Sequence, residues 1–181
     1  DFLSKKNINL ILSTGMSTLN EIQETYEFLK NRNASFAFMH CVSEYPPIYE
    51  DVQIDTLQYL REKYSDICIG FSCHTPNIYT SLAAATIGVE FIEKHVTLDQ
   101  KVECPDKDVS LSFTQIKELC EGVRAIHLSR GVRDGILNKE KEIRSWARRI
   151  IVTSKKINKG EIFTEDNITT LRAGEGLNSK N

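Results

Sequence analysis

The feature that most constrains this chain is an alternation. Four times within the first 130 residues, a short apolar run gives way to a stretch whose apolar residues recur at helical spacing. The runs are residues 8–13 (INLILS), 35–41 (SFAFMHC), 67–72 (ICIGFS) and 89–96 (VEFIEKHV). Each reads as a buried strand. The periodicity predicts helices over about 18–31, 54–64, 78–87 and 112–129. Thr18 with Glu21 three residues on predicts a capping box, Ser112 is a second cap candidate, and Gly88 stands at a helix stop. Strand–helix alternation of this kind implies parallel strands joined by right-handed crossovers. The fold class is therefore α/β. An open doubly wound sheet fits, and so does part of a (β/α)8 barrel, of which four units are half. No G-x-G-x-x-G or G-x-x-x-x-G-K-[ST] follows any strand, which argues against a dinucleotide fold or P-loop.

Beyond residue 130 the pattern changes. Residues 131–147 are charged and glycine-punctuated and read as a linker. Residues 148–181 hold two strand-like pieces separated by turn signals, the start of a small β-rich module. The first residue is Asp rather than Met, and we read the chain as a fragment.

Composition excludes some functions. With 23 basic and 25 acidic residues there is no bulk electrostatic case for nucleic acid or an anionic membrane. No apolar run approaches the roughly 18 residues of a membrane span. Five cysteines, none in a C-x-x-C pair, fit reduced structural thiols in a cytoplasmic protein.

In parallel α/β proteins chemistry collects at the C-terminal strand ends. There the sequence offers Ser13, Thr14 and Gly15; His40, Cys41 and Ser43, then Glu44 and Tyr45; Ser72, Cys73, His74 and Thr75; and Glu93, Lys94 and His95. Side chains alternate along a strand, so Cys68, Gly70, Ser72 and His74 share one face, as do Phe91, Glu93 and His95. Neighbouring strands sit ~4.8 Å apart, close enough for His74 and His95 to share one metal ion. A lone strand-end histidine is more often structural than a ligand; two at matching positions leave both readings open. Two imidazoles with oxygen ligands suit Mn²⁺, Fe²⁺ or Zn²⁺, and spacing does not choose among them. A buried Glu93 needs a partner. The Ser and Thr residues read as phosphate donors or as helix caps, Cys68 and Cys73 as core packing, and His127 as surface.

The runs STGMSTLNEI, HCVSEYPPIYEDV, IGFSCHT and EFIEKHVTLD, then PD and SL, occur in this order. Together they closely resemble the N-acetylneuraminate (sialic acid) synthase family, which includes legionaminic and pseudaminic acid synthases. The resemblance covers residues 8–130, and the tail resembles the family's linker and the opening of its antifreeze-like (SAF) domain. It implies the C-terminal half of a TIM (β/α)8 barrel that condenses phosphoenolpyruvate with an N-acetylated hexosamine such as N-acetylmannosamine. It implies His74 and His95 as Mn²⁺ ligands, Ser13, Ser43 and Ser72 near phosphoenolpyruvate, and Glu93 and Asp106 near the sugar. It also implies a homodimer of the full-length protein, and a fragment inactive alone, because half the barrel is expected upstream. One departure stands out: the family usually has Asp before the first histidine, and here it is Cys73. The alternatives are a metal-dependent aldolase or epimerase on a similar barrel, and an inactive carbohydrate-binding remnant.

Overall fold

A computed structural model describes residues 2–6, 8–101, 103–174 and 176–179. The chain divides into two compact units, residues 1–130 and 131–181. In the first, the elements run β1 (Asn9–Ser13), α1 (Leu19–Lys30), β2 (Ser35–Cys41), α2 (Tyr49–Val52), α3 (Thr56–Lys63), β3 (Cys68–Cys73), α4 (Tyr79–Ile87), β4 (Phe91–Lys94) and α5 (Phe113–Ser129). The four strands form one parallel sheet in the order β1-β2-β3-β4. This is half-barrel architecture, with its open edges at β1 and β4.

Local chemistry sets the element ends. Thr18 accepts from the Glu21 amide while Glu21 takes the Thr18 N–H at 2.7 Å, closing the capping box of α1. Ser112 and Gln115 do the same for α5. Gly88 takes φ 95°, the left-handed conformation that ends α4 and that a side chain would strain. The fourth strand is shorter than its apolar run at both ends: the Val89 amide is spent on the α4 carbonyl of Ala84, and beyond Lys94 the backbone bonds to Leu111 of the returning loop. The expected helix over 54–64 is α3, preceded by the extra turn α2 after Pro46 and Pro47.

The core lies between the sheet and its helices. Leu57 and Leu60 of α3, Ile69 and Phe71 of β3, Phe38 of β2 and Ala84 of α4 are buried there. Burying a Leu or Phe side chain stabilises the fold by roughly 1.5–3 kcal/mol. The strand registers Leu12↔Phe38↔Ile69 and His40↔Phe71↔Ile92 line this face. The other face carries Ser13↔Met39↔Gly70↔Phe91 and Cys41↔Ser72↔Glu93. Gly70 is required there: a Cβ on it would stand 2.2 Å from Cε2 of Phe91. Cys68 lies on this second face and is exposed, so it does not join the core as expected; Cys73 is buried.

In the second unit, a helix, α6 (Asn138–Ala147), lies within the stretch read as a linker. Glu140 reaches back to accept from the Leu137 N–H at 3.2 Å, fixing its first turn. β5 (Ile150–Thr153) and β6 (Ile168–Leu171) pair antiparallel. Among the described residues no helix is long and apolar enough to cross a membrane, and all five cysteines are free thiols.

Candidate functional site

The β3–β4 ladder ends at Cys73↔Lys94. His74 and His95 stand one residue beyond it, on the face that also carries Ser72 and Glu93. Their ring centroids are 5.3 Å apart. His74 Nδ1 lies 2.7 Å from the Val42 carbonyl. A carbonyl only accepts, so Nδ1 carries the proton and Nε2 keeps its lone pair. That nitrogen is 3.4 Å from Ser72 Oγ, whose hydroxyl donates to Glu93 Oε1 at 2.8 Å. His95 Nδ1 faces Asp106 Oδ2 at 3.7 Å, again leaving Nε2 open. Asp106 is delivered by the returning loop: Leu111 bridges to Val96, its amide donates to the His95 carbonyl at 2.9 Å, and Ser110 Oγ donates to the Asp106 carbonyl at 2.7 Å.

Burial pushes the His74 pKa down, the Val42 hydrogen bond pulls it partly back, and the neighbouring His95 and Lys94 lower it further. The imidazole is thus kept neutral, the form that ligates metal. Among the described residues no three His, Cys, Asp or Glu side chains are grouped to hold a metal ion. The donor set offered here is two imidazole nitrogens. Each has its other nitrogen turned to a carbonyl or carboxylate, the arrangement that orients histidine ligands. It fits a divalent ion whose remaining positions are filled by oxygen ligands.

The remaining predicted residues divide. Ser72, Glu93 and Asp106 stand with the histidine pair. Glu93 is exposed rather than buried, and Ser72 is its partner. Ser13 and Ser43 meet at Gly15, where an added Cβ would lie 2.5 Å from Ser43 Oγ, 3.3 Å from Cys41 Sγ and 3.7 Å from Ser13 Oγ. Cys41 joins the two groups, its sulfur 4.0 Å from His74 Nδ1. His40 does not belong to either. It lies on the helix-packed face, buried, with Nε2 donating to the Val52 carbonyl at 2.9 Å.

Tyr45 stood among the residues past the second strand, but its contact with the histidine pair was not foreseen. Its ring stacks on His74 at 4.1 Å between centroids and meets His95 edge-on at 5.9 Å. Burial raises the pKa of its hydroxyl, as do the facing Cys41, Asp106 and Glu93. Tyr45 lies in a loop, where alternation gives no facing; its place before Pro46 and Pro47 was the available signal.

Comparison with known proteins matches residues 1–134 to the model of the NeuB family. The chain belongs to the NeuB family. It is 36% identical to an N,N'-diacetyllegionaminic acid synthase of Campylobacter jejuni, over 98% of this chain and 54% of that protein. It is 31% identical to the N-acetylneuraminate-9-phosphate synthase of Homo sapiens, over 95% of this chain and 48% of that one. The crystal structure of an N-acetylneuraminic acid synthetase from Leptospira borgpetersenii, in complex with citrate, superposes with a TM-score of 0.70 and 29% identity, over 78% of this chain and 50% of that one. This NeuB-family chain therefore spans about half the length of the relatives it matches.

Cys73, the departure from the family pattern, faces the helices and not the histidine pair. Its sulfur lies 3.4 Å from Lys94 Nζ, 3.2 Å from Thr80 Oγ1 and 3.3 Å from Thr75 Oγ1. Burial raises its pKa, but the Lys94 charge and the hydroxyls of Ser81, Thr75 and Thr80 together bring it below the usual thiol range.

Proposed function

We propose that this chain supplies half of the active site of a phosphoenolpyruvate-dependent nonulosonate synthase. The acceptor is an N-acetylated hexosamine resembling N-acetylmannosamine. The observation that carries the reading is the histidine pair: two imidazoles with ring centroids 5.3 Å apart, at adjacent strand ends of a NeuB-family barrel half. His74 and His95 hold a divalent cation, Mn²⁺ by preference, through Nε2. When bound, that ion polarises the open-chain aldehyde of the sugar. C3 of phosphoenolpyruvate attacks the aldehyde carbon and the new C–C bond forms, while the aldehyde oxygen takes a proton. Water adds at the resulting C2 cation, and phosphate departs with cleavage of its C–O bond. Ser13 and Ser43, converging at Gly15, bind phosphoenolpyruvate together with Ser72. Glu93, oriented by Ser72, and Asp106, beside His95, bind sugar hydroxyls. The second unit is the opening of an antifreeze-like domain, and the working enzyme is a homodimer.

The test uses the protein expressed from its complete reading frame. Phosphate release is measured with phosphoenolpyruvate plus N-acetylmannosamine or its 2,4-diacetamido and 6-phospho relatives, with and without Mn²⁺. One sugar is expected to give stoichiometric phosphate and a nonulosonate. Phosphate release with none of them, alongside retro-aldol cleavage of a nonulosonate without phosphoenolpyruvate, overturns the reading in favour of an aldolase. The 181-residue chain alone is expected to release no phosphate.

A further inference from the structure

Lys94 precedes His95, but its side chain leaves β4 on the opposite face, toward the helices. It is partly buried, and its ammonium is turned inward rather than to solvent. Nζ donates to the Cys73 carbonyl at 3.2 Å and to the Thr75 carbonyl, and touches Cys73 Sγ at 3.4 Å. Those two carbonyls flank His74. One side chain on the strand of His95 thus grips the backbone on both sides of His74.

The position of this grip gives it a consequence. The β3–β4 register ends at Cys73↔Lys94. Past that pair the ladder no longer fixes the spacing of the two strands, yet His74 and His95 both lie past it. The Cys73 and Thr75 carbonyls are therefore held to β4 by a side chain where the ladder has stopped. The hydroxyl pair Thr75–Thr80, 2.9 Å apart, then ties the gripped segment to the first turn of α4. Anchoring to a helix in the core makes the clamp stiff, and backbone stiffness is what holds a ligand ring in place.

We propose that Lys94 is a positioning residue for the histidine pair: by clamping the carbonyls on either side of His74, it sets the separation and mutual orientation of His74 and His95. It touches neither ion nor substrate. Its effect passes through the backbone of His74, and Cys73 sulfur is a secondary contact. For metal affinity the inference rests on the proposed cation site; the ring geometry does not.

The experiment compares the full-length protein with its Lys94→Met, Lys94→Arg and Cys73→Ser variants, each checked for folding by circular dichroism. Mn²⁺ affinity is read from the free-ion EPR signal, and the ligand field from the visible spectrum of the Co²⁺ form. Lys94→Met is expected to bind Mn²⁺ at least about 10-fold more weakly and to shift the Co²⁺ bands, in the range seen for residues that orient metal ligands. Lys94→Arg, which can still span two carbonyls, is expected to recover part of the loss, and Cys73→Ser to change little. A metal-free readout separates the two claims. The ring-proton NOE between His74 and His95 is expected in the parent and lost in Lys94→Met. Absence of Mn²⁺ binding by the parent overturns the cation site and leaves the clamp to be judged by that NOE. An unchanged NOE, or unchanged Mn²⁺ affinity and Co²⁺ spectrum, in folded Lys94→Met overturns the clamp. Failure of both Lys94 variants to fold assigns the residue to the fold and overturns the positioning role.

Discussion

His40 and His74 sit at the ends of neighbouring strands, and both are buried. They face opposite ways. His40 points to the helices, stacks on Phe71 with ring centroids 5.9 Å apart, and donates to the Val52 carbonyl. His74 points to the face that holds Ser72, Glu93 and His95, under Tyr45. Both use one nitrogen on a backbone carbonyl. What separates them is the surroundings of the other nitrogen: core on one side, an open polar face on the other. Strand parity, not residue type, therefore decides which histidine can serve chemistry and which serves the fold.

The sharpest way to break this contrast is to remove each ring in turn. His74→Ala or His95→Ala is expected to weaken Mn²⁺ binding by 100-fold or more, on the order of 3 kcal/mol. His74→Ala should also lower the denaturation midpoint, because it leaves a cavity and the Val42 carbonyl without its partner. His40→Ala is expected to leave Mn²⁺ affinity near the parent value. It should cost about 2–4 kcal/mol of stability, from the cavity and the orphaned Val52 carbonyl. Mn²⁺ titration and urea denaturation of the three variants decide it. A folded His40→Ala protein with Mn²⁺ affinity as poor as His74→Ala would collapse the distinction.

The two faces also differ in how tightly they are filled. On the histidine face, Phe91 lies across Gly70 with no room for a Cβ. Gly70→Ala is expected to destabilise by about 1–3 kcal/mol through overpacking, and adding Phe91→Leu should recover part of that loss. Thermal denaturation of the single and double variants measures the coupling. Additive effects would show that Phe91 moves aside freely and that the face is loosely packed.

The contrast explains what was legible in the sequence. Period-two alternation put Ser72 with His74 and Glu93 with His95, and both pairings hold because these residues lie on or one step past regular strands. The α1 and α5 caps were readable for a similar reason, being local chemistry within one turn. Tyr45 was placed past the end of β2, but its facing was not readable: it lies in an irregular loop, and its stacking on His74 depends on where β2 ends relative to β3. Glu93 and Cys68 were misjudged because both lie on the face that the described chain leaves open. The shortening of β4 turned on its two ends: the Val89 amide is drawn into the end of α4, and His95 and Val96 pair with Leu111 of the returning loop. The function of Lys94 was hidden by parity itself, since it faces away from the ligands whose backbone it holds.

The smallest expected effect is a pH dependence that separates the two faces by linkage. Burial pushes the His40 pKa below its ordinary value, and the Val52 hydrogen bond recovers only part of that shift. The unfolded chain titrates near 6.5. Above that pH both states are neutral at His40, and its contribution to stability is complete. As pH falls through about 6.5 the unfolded state takes the proton first, so stability declines until the lowered native pKa is passed. One proton gives a slope of at most about 1.4 kcal/mol per pH unit. His74 is lowered in the same direction, so the parent carries contributions from both faces. His40→Gln keeps a donor for the Val52 carbonyl but cannot titrate. Its unfolding free energy, measured in urea at pH 7.5, 6.5 and 5.5, is expected to fall less steeply than the parent's. Parallel curves would mean that His40 protonates as easily in the native core as in the unfolded chain, and that the helix-packed face is wetter than its burial indicates.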